Sequence, residues 1–295
     1  MNLLTVQPKT PSDSKMQKPS DETAMVVRFW GVRGSIPVSG ASTSRVGGDT
    51  ACVEIRCGDH ILLFDAGSGL RSAGEVLTKE GLARCDLFLS HCHYDHILGL
   101  PFFRPFMSPR VKCSLWAAKL DGVASTRETV ARFMRAPFFP VSPDMFKASI
   151  AYRDFVPGDI LRPRDGVTIR TALLCHPGGV VGYRVEHEGA TVIYMTDTTH
   201  RQNSVDPANH ALAANADLLI YDCTYTDEEF ATHAGYGHST WQQGVRICQS
   251  AGALRLALFH HAPDRSDDAL LRIEREAKAV FPGAFVARQG MTVTI

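Results

Sequence analysis

The chain lacks several features that would assign it to large protein classes. Its eight cysteines, Cys52, Cys57, Cys85, Cys92, Cys113, Cys175, Cys223 and Cys248, form no C-x-x-C pair. Most lie in apolar, strand-like runs, where a thiol packs as a small hydrophobe. With no secretory signal, that usage predicts a reduced, cytoplasmic protein rather than a disulfide scaffold. Net charge is absent too: 31 basic side chains balance 31 acidic ones, so no overall field draws the chain onto nucleic acid or an acidic membrane. No apolar run approaches the length of a transmembrane helix, and no short-period repeat indicates a solenoid. Residues 1–24 have no continuous apolar stretch of the signal-peptide kind. They are rich in Pro, Ser, Lys and Asp and are predicted to be a disordered tail. That leaves residues 25–295 as one domain, long enough to bury a large core.

What is present is a mixture of strands and helices. Met25–Trp30 reads as a first strand, and a Gly- and Ser-rich loop, residues 31–49, follows. Ala51–Arg56 alternates apolar and polar residues, Gly58-Asp59 supplies a turn, and Ile61–Phe64 returns as a hairpin. A helix is predicted over Leu70–Lys79 and a short buried strand over Asp86–Ser90. Asp121–Arg135 has helical spacing with Asp121 as its N-cap, and the Pro- and Phe-rich Ala136–Phe146 is a loop. Strands are predicted at Ile150–Phe155, Val167–Leu174, Val180–Glu186, Thr191–Met195, Asp217–Tyr221 and Leu254–Phe259, with helices at Ser239–Ser250 and Asp267–Ala279. Hairpin-length turns between neighbouring strands favour a layered α/β sandwich over a doubly wound sheet.

The decisive segment is His91-Cys92-His93-Tyr94-Asp95-His96, directly after a strand. Three imidazoles and a carboxylate so close together are not core residues; they are the ligands zinc and similar divalent ions prefer. On an extended backbone His91 and His93 point to one side and grip one ion, while Asp95 and His96 turn toward a second. Alternation turns Cys92 away, toward packing.

This loop resembles the signature of the metallo-β-lactamase superfamily, and further motifs of that family follow in order. The resemblance implies a four-layer αββα sandwich. It implies that Asp65 orients the histidine loop, that His176 completes the first ion's ligands, that Asp197 bridges both ions, and that His260 closes the second site. His261 is a rival for that last place. Gly237-His238-Ser239-Thr240 resembles the histidine motif of the phosphodiesterase branch, which includes the tRNA 3′-processing endonucleases and the phosphoribosyl cyclic phosphodiesterases. There the histidine assists the leaving oxygen; simple capping of the following helix, with Ser239 as N-cap, is the alternative use of the position.

The resemblance therefore implies two divalent metal ions, zinc first and manganese or iron next, held by His91, His93, Asp95, His96, His176, Asp197 and His260. Asp95 and His238 are the expected catalytic residues, and a hydroxide between the ions is the expected nucleophile. Arg33, Thr50 and Ser239 are the expected substrate contacts, because the loops Gly31–Pro37 and Gly47–Thr50 resemble a subgroup related to cyclic-nucleotide phosphodiesterases. Phe102, Phe103, Phe106, Phe138 and Phe139 offer an apolar wall for a base, or fill core. The chain has no long basic, Gly-rich arm of the kind that holds tRNA, so a small cyclic or linear phosphodiester is expected, with no membrane and no stable nucleic-acid partner. A homodimer would match the family. A thioesterase or lactonase on the same site, and a di-iron redox or sensor protein, are the competing readings; the latter fits less well because His93 and His96 stand where such relatives place acidic residues.

Overall fold

Runs of valine, isoleucine, leucine and aromatics build two seven-stranded sheets in a computed structural model that describes residues 25–120, 125–201 and 204–295. The first half supplies β1 (Met25–Gly31), β2 (Cys52–Cys57), β3 (His60–Phe64), β4 (Arg84–Leu89), β5 (Lys112–Ala118) and β6 (Ser149–Phe155), with helices α1 (Gly69–Lys79), α2 (Tyr94–Ile97) and α3 (Thr126–Phe133). The second half supplies β7 (Ile160–Arg164), β8 (Val167–Leu174), β9 (Val180–His187), β10 (Ala190–Met195), β11 (Leu218–Asp222), β12 (Leu256–Phe259) and β13 (Ala284–Val286). Its helices are α4 (Pro207–Ala213), α5 (Asp227–His233), α6 (Trp241–Ala251) and α7 (Asp267–Val280), and β14 (Thr292–Thr294) crosses back to pair with β1.

The strand orders are β14-β1-β2-β3-β4-β5-β6 and β13-β12-β11-β10-β9-β8-β7. One apolar core lies between the sheets and a second lies between the first sheet and α1 to α3. The four-layer αββα sandwich is thus present. The inter-sheet core is aromatic: Phe64 stacks on Phe88 at 5.2 Å, Phe88 on Trp116 at 5.7 Å, and Tyr194 meets Phe259 edge-on at 5.7 Å. Burial of each such ring contributes roughly 1.5–3 kcal/mol. Among the described residues no helix is long and apolar enough to cross a membrane.

Topology explains where the chemistry sits. The pairs β3-β4, β4-β5, β10-β11 and β11-β12 are parallel, and β8 and β10 each run antiparallel to β9. The C-terminal ends of β3, β4, β8, β10, β11 and β12 therefore open on one edge of the sandwich. β1 runs antiparallel to β2, itself antiparallel to β3, so the loop after Gly31 emerges there as well. Open α/β sheets gather function at such an edge, where strand ends hold side chains rigidly and loops are free to vary.

Most predicted elements are present with ends shifted by a residue or two. The helix expected from Asp121 begins at Thr126 with Ser125 as its cap, accepting from the Glu128 N–H at 3.1 Å. Asp121 and the N-terminal tail lie outside the described residues. Strands β5, β7, β13 and β14 and helices α2, α4 and α5 were not expected. α5 is announced by a capping box in which Thr226 and Glu229 satisfy one another's backbone N–H groups, a local signal that was overlooked.

Candidate metal centre

The site is assembled by strand ends that turn sharply. Of six non-glycine residues with positive φ among the described residues, four lie here: Ser35, Asp65, Asp197 and His260. A left-handed residue at the last turn of a strand re-aims its side chain across the sheet edge, at a backbone cost of about 1–3 kcal/mol each. Glycine clears the space around them. A Cβ on Gly34 would stand 2.3 Å from Cε1 of His260, and one on Gly237 would stand 2.5 Å from Nδ1 of His176.

Two clusters of side chains result at the sheet edge, and a third group, Asp222, His238 and His260, adjoins them through His260. His91, His93 and His176 converge, with ring centroids 4.3 to 5.0 Å apart and His176 Nε2 3.1 Å from His93 Nδ1. Asp95, His96, Asp197 and His260 form the second cluster, all buried. Asp197 Oδ2 lies 3.1 Å from Nε2 of both His96 and His260, while its Oδ1 lies 4.0 Å from Nε2 of His91, so this one carboxylate faces both clusters. His260, not His261, faces the centre; His261 turns away and donates from Nε2 to the Ala287 carbonyl at 3.0 Å.

Hydrogen bonds from neighbouring elements hold several of these side chains in place. Asp65, fully buried, accepts from the Ser90 N–H (2.7 Å), the Ser90 hydroxyl (2.8 Å), His96 Nδ1 (2.7 Å) and the Tyr194 hydroxyl (2.7 Å). It thereby joins the histidine loop to the second sheet, in the orienting place the sequence suggested for it. Tyr183 does the same from β9, donating to the Leu89 carbonyl at 2.6 Å. His176 Nδ1 donates to the Gly237 carbonyl at 2.9 Å, and the Ser35 N–H donates to Asp95 Oδ2 at 2.7 Å.

The donor set fits divalent cations. Nε2 of His91 and of His96 are buried without a hydrogen-bond partner, pointed at carboxylates rather than at a carbonyl or hydroxyl. Burial, with the neighbouring imidazoles, drives His91 well below the usual histidine range and so keeps it in the neutral form that binds metal. Burial alone would raise the Asp197 carboxyl, but His260, His96 and His91 outweigh it and hold it well below the usual range; Asp95 is lowered in the same way by His96 and His260. His91 as a neutral imidazole and Asp95 and Asp197 as ionised carboxylates offer the ligand chemistry of zinc, manganese or iron.

Beside these clusters stands a pair of which the sequence revealed only half. His238 Nδ1 lies 3.0 Å from Oδ2 of the fully buried Asp222, at the end of β11, and 3.8 Å from Asp197. Burial by itself would lower His238, but Asp222 and then Asp197 push it up to about 9. Asp222 is fixed in turn by the Thr224 N–H (3.1 Å), the Thr224 hydroxyl (2.9 Å) and the Ser239 N–H (3.3 Å). Sequence reasoning ended the strand at Tyr221, one residue short.

The expected substrate contacts are corrected. Arg33 is fully buried: Nε donates to the Gly47 carbonyl, Nη1 to the carbonyls of Ala262 and Arg265, and Nη2 sits 3.7 Å from Asp267. It staples the glycine-rich loop to the start of α7 and cannot reach the cleft. Thr50 is also buried, its hydroxyl accepting from the Ser68 N–H at 2.8 Å. Ser239 does not cap the following helix; Thr240 does, accepting from the Gln243 N–H at 3.0 Å. The Ser239 hydroxyl instead lies 2.8 Å from both His200 Nδ1 and the Tyr221 hydroxyl. The loop after β1 serves the site through the backbone of Ser35. Cys92 packs against the core beneath the first sheet, as expected, and also borders the cleft; burial pushes its thiol up to about 11. Phe103 and Phe106 are core, whereas Phe102 and Phe138 are exposed.

Comparison with known proteins identifies the family and the fold. Residues 60–261 match the model of the beta-lactamase superfamily domain. A curated relative, ribonuclease Z of Natronomonas pharaonis, is 28% identical over 316 residues, an alignment that takes in 91% of this chain and 97% of that protein. The metallo-beta-lactamase fold protein YhfI from Bacillus subtilis superposes with a TM-score of 0.70 at 25% identity, over 92% of this chain and 100% of YhfI. Human tRNase Z, short form, shares the fold with a TM-score of 0.63 at 20% identity, over 91% and 98% of the two chains.

Proposed function

This chain belongs to the beta-lactamase superfamily as a metal-dependent hydrolase of its phosphodiesterase branch, and we propose that its substrate is a small phosphodiester, a cyclic nucleotide or cyclic phosphate before a linear one. The observation that carries the reading is the His238–Asp222 pair, which stands on the same cleft as both ligand clusters. In this reading His91, His93 and His176 hold one divalent ion, Asp95, His96 and His260 hold a second, and Asp197 is shared. Such a pair of ions, when bound, polarises a phosphoryl oxygen and lowers the pKa of a water toward neutrality.

The chain's own residues then manage protons and orientation. Asp95 lines the cleft and accepts a hydrogen bond from the attacking water, which aims it at phosphorus. His238 gives its Nδ1 proton to the hydrogen bond with Asp222, so the proton transferred to the departing alkoxide comes from Nε2. Asp222 selects that tautomer and holds the ring, as a buried carboxylate does behind a catalytic imidazole.

Two observations support a small substrate. The cleft has a volume of about 360 Å³, within the usual range of small-molecule sites. Zero net charge gives no general attraction to a polyanion. All eight cysteines are free, which supports a cytoplasmic setting. The test is turnover by metal-reconstituted protein of 2′,3′- and 3′,5′-cyclic nucleotides, bis(p-nitrophenyl) phosphate, a precursor tRNA, a lactone and a thioester. Cyclic or simple diesters are expected to turn over fastest. Ester cleavage without any phosphodiester turnover, or tRNA processed in preference to every small diester, would defeat the proposal.

A further inference from the structure

An apolar groove of about 620 Å³ opens beside the metal cleft, and no step above uses it. One wall is α2 and the turn that follows, with Tyr94, Ile97 and Phe102; the other is α3 and the loop after it, with Phe133, Phe138 and Phe139. Cys92 and Tyr94 border both the groove and the cleft, so the two spaces adjoin. Three of the rings stand largely in water: Tyr94 is 72% exposed, Phe102 55% and Phe138 83%. Apolar surface gathered in one place and left open marks a binding site. Rings make up half of the lining side chains, with Ile97 and Leu98 beside them. Tyr94 and Phe133 meet at 6.3 Å and 48°, and Phe102 and Phe139 meet at 6.1 Å and 79°. Arg132, exposed on α3, places a guanidinium on the same groove beside its partner Glu128.

We propose that this groove seats the flat base of the nucleotide whose phosphodiester lies in the cleft. The inference rests on the reading of that cleft as a phosphodiester site. A small phosphodiester is anionic and hydrophilic, and the part of it suited to an aromatic slot is a base. Ring faces accept any base by stacking, so the groove sets the class of substrate and not the identity of the base. The Arg132 guanidinium adds a cation that suits an anionic ligand and a π face alike.

Calorimetric titration of the metal-loaded protein with AMP and with ribose 5-phosphate tests the base, since ribose 5-phosphate carries an anomeric hydroxyl where AMP carries the base. AMP is expected to bind tighter by roughly tenfold or more, the scale of stacking on aromatic side chains. The preference should collapse in the double variant Phe102→Ala/Phe138→Ala, while ribose 5-phosphate affinity and metal content stay unchanged. Both rings are exposed, so their removal leaves the core intact, and a thermal melt verifies it. Equal affinity of the two ligands for the unaltered protein, or a preference that survives the double substitution, overturns the proposal. So does a dimer that the double substitution converts to monomer, because a second copy would then be the occupant of the groove. The two readings fail separately: base-dependent binding without phosphodiester turnover sinks the reaction assigned to the cleft, and turnover without base preference sinks the groove.

Discussion

Asp222→Asn separates proton delivery from metal binding. The carboxylate is fully buried and spends one oxygen on His238 and the other on Thr224 and Ser239. Asparagine keeps the shape and the Thr224 contacts but turns an amide N–H₂ toward His238 Nδ1. The imidazole must then reverse its tautomer or lose the bond. A hydrogen bond to a buried charge is worth about 1.5–3 kcal/mol. Since 1.36 kcal/mol is tenfold in rate, full expression in the transition state lowers kcat by roughly 10- to 150-fold. His238→Ala removes the donor altogether and should cost roughly 10²–10⁴-fold. If Asp222 acts through His238, the double variant is no slower than His238→Ala alone. The assay compares two substrates with the same phosphorus chemistry and different leaving groups. A 2′,3′-cyclic nucleotide expels an alkoxide that needs a proton, whereas bis(p-nitrophenyl) phosphate expels a stable phenolate that does not. Loss is expected on the first and near-normal kcat on the second, with metal content per chain unchanged in each variant. Equal losses on both substrates, a double variant slowed by the product of the two single effects, or an ion lost with Asp222 would refute the assignment.

The remaining predictions probe the scaffold. Asp197→Ala removes the carboxylate that faces both clusters, so metal and activity should vanish together; elemental analysis after dialysis showing a fully occupied protein would contradict the shared role. Gly34→Ala puts a methyl group 2.3 Å from the His260 ring, and titration with zinc should show one site weakened roughly 10- to 100-fold while the other holds, the scale seen when a ligand is displaced from its support. Arg33→Met removes the guanidinium that donates to the carbonyls of Gly47, Ala262 and Arg265 and should lower unfolding free energy by roughly 2–4 kcal/mol with KM unchanged; a raised KM at full stability would restore it as a substrate contact. His200, stacked on Phe230 at 4.2 Å, has its pKa lowered to about 4, chiefly by burial. The unfolded chain therefore binds the extra proton between its own pKa near 6.5 and about 4, so stability is complete above that window and falls as pH drops through it. In denaturant titrations of the metal-free protein, His200→Gln should flatten that fall, and an identical slope would rule the residue out.

How much of this could be read from the chain alone depends on whether a residue's role is local. His91, His93, Asp95 and His96 were legible because four ligand-type side chains follow one strand directly, and no core tolerates them. Asp65, Asp197 and His260 were legible through their resemblance to the family's motifs, supported by each closing an apolar run, where a strand end holds a polar side chain rigidly. Asp222 closes Leu218–Tyr221 in the same manner and was passed over, because its meaning depends on β11 lying between β10 and β12 in parallel, an order that no periodicity in the chain reveals. Arg33 failed in the opposite direction. A glycine-rich loop carrying an arginine looks like an anion cradle, but the carbonyls that capture this guanidinium belong to Ala262 and Arg265, more than two hundred residues away. The phenylalanines of residues 102–146 divide for a similar reason: Phe103 and Phe106 pack under α1 while Phe102 and Phe138 face water, and an unpatterned loop carries no period that would separate them. Chemistry written next to its strand is thus readable in one dimension, and chemistry completed by a distant partner is not. Asp222 and the aromatic groove both belong to that second kind, and it is on them that proton delivery and the choice of substrate are proposed to depend.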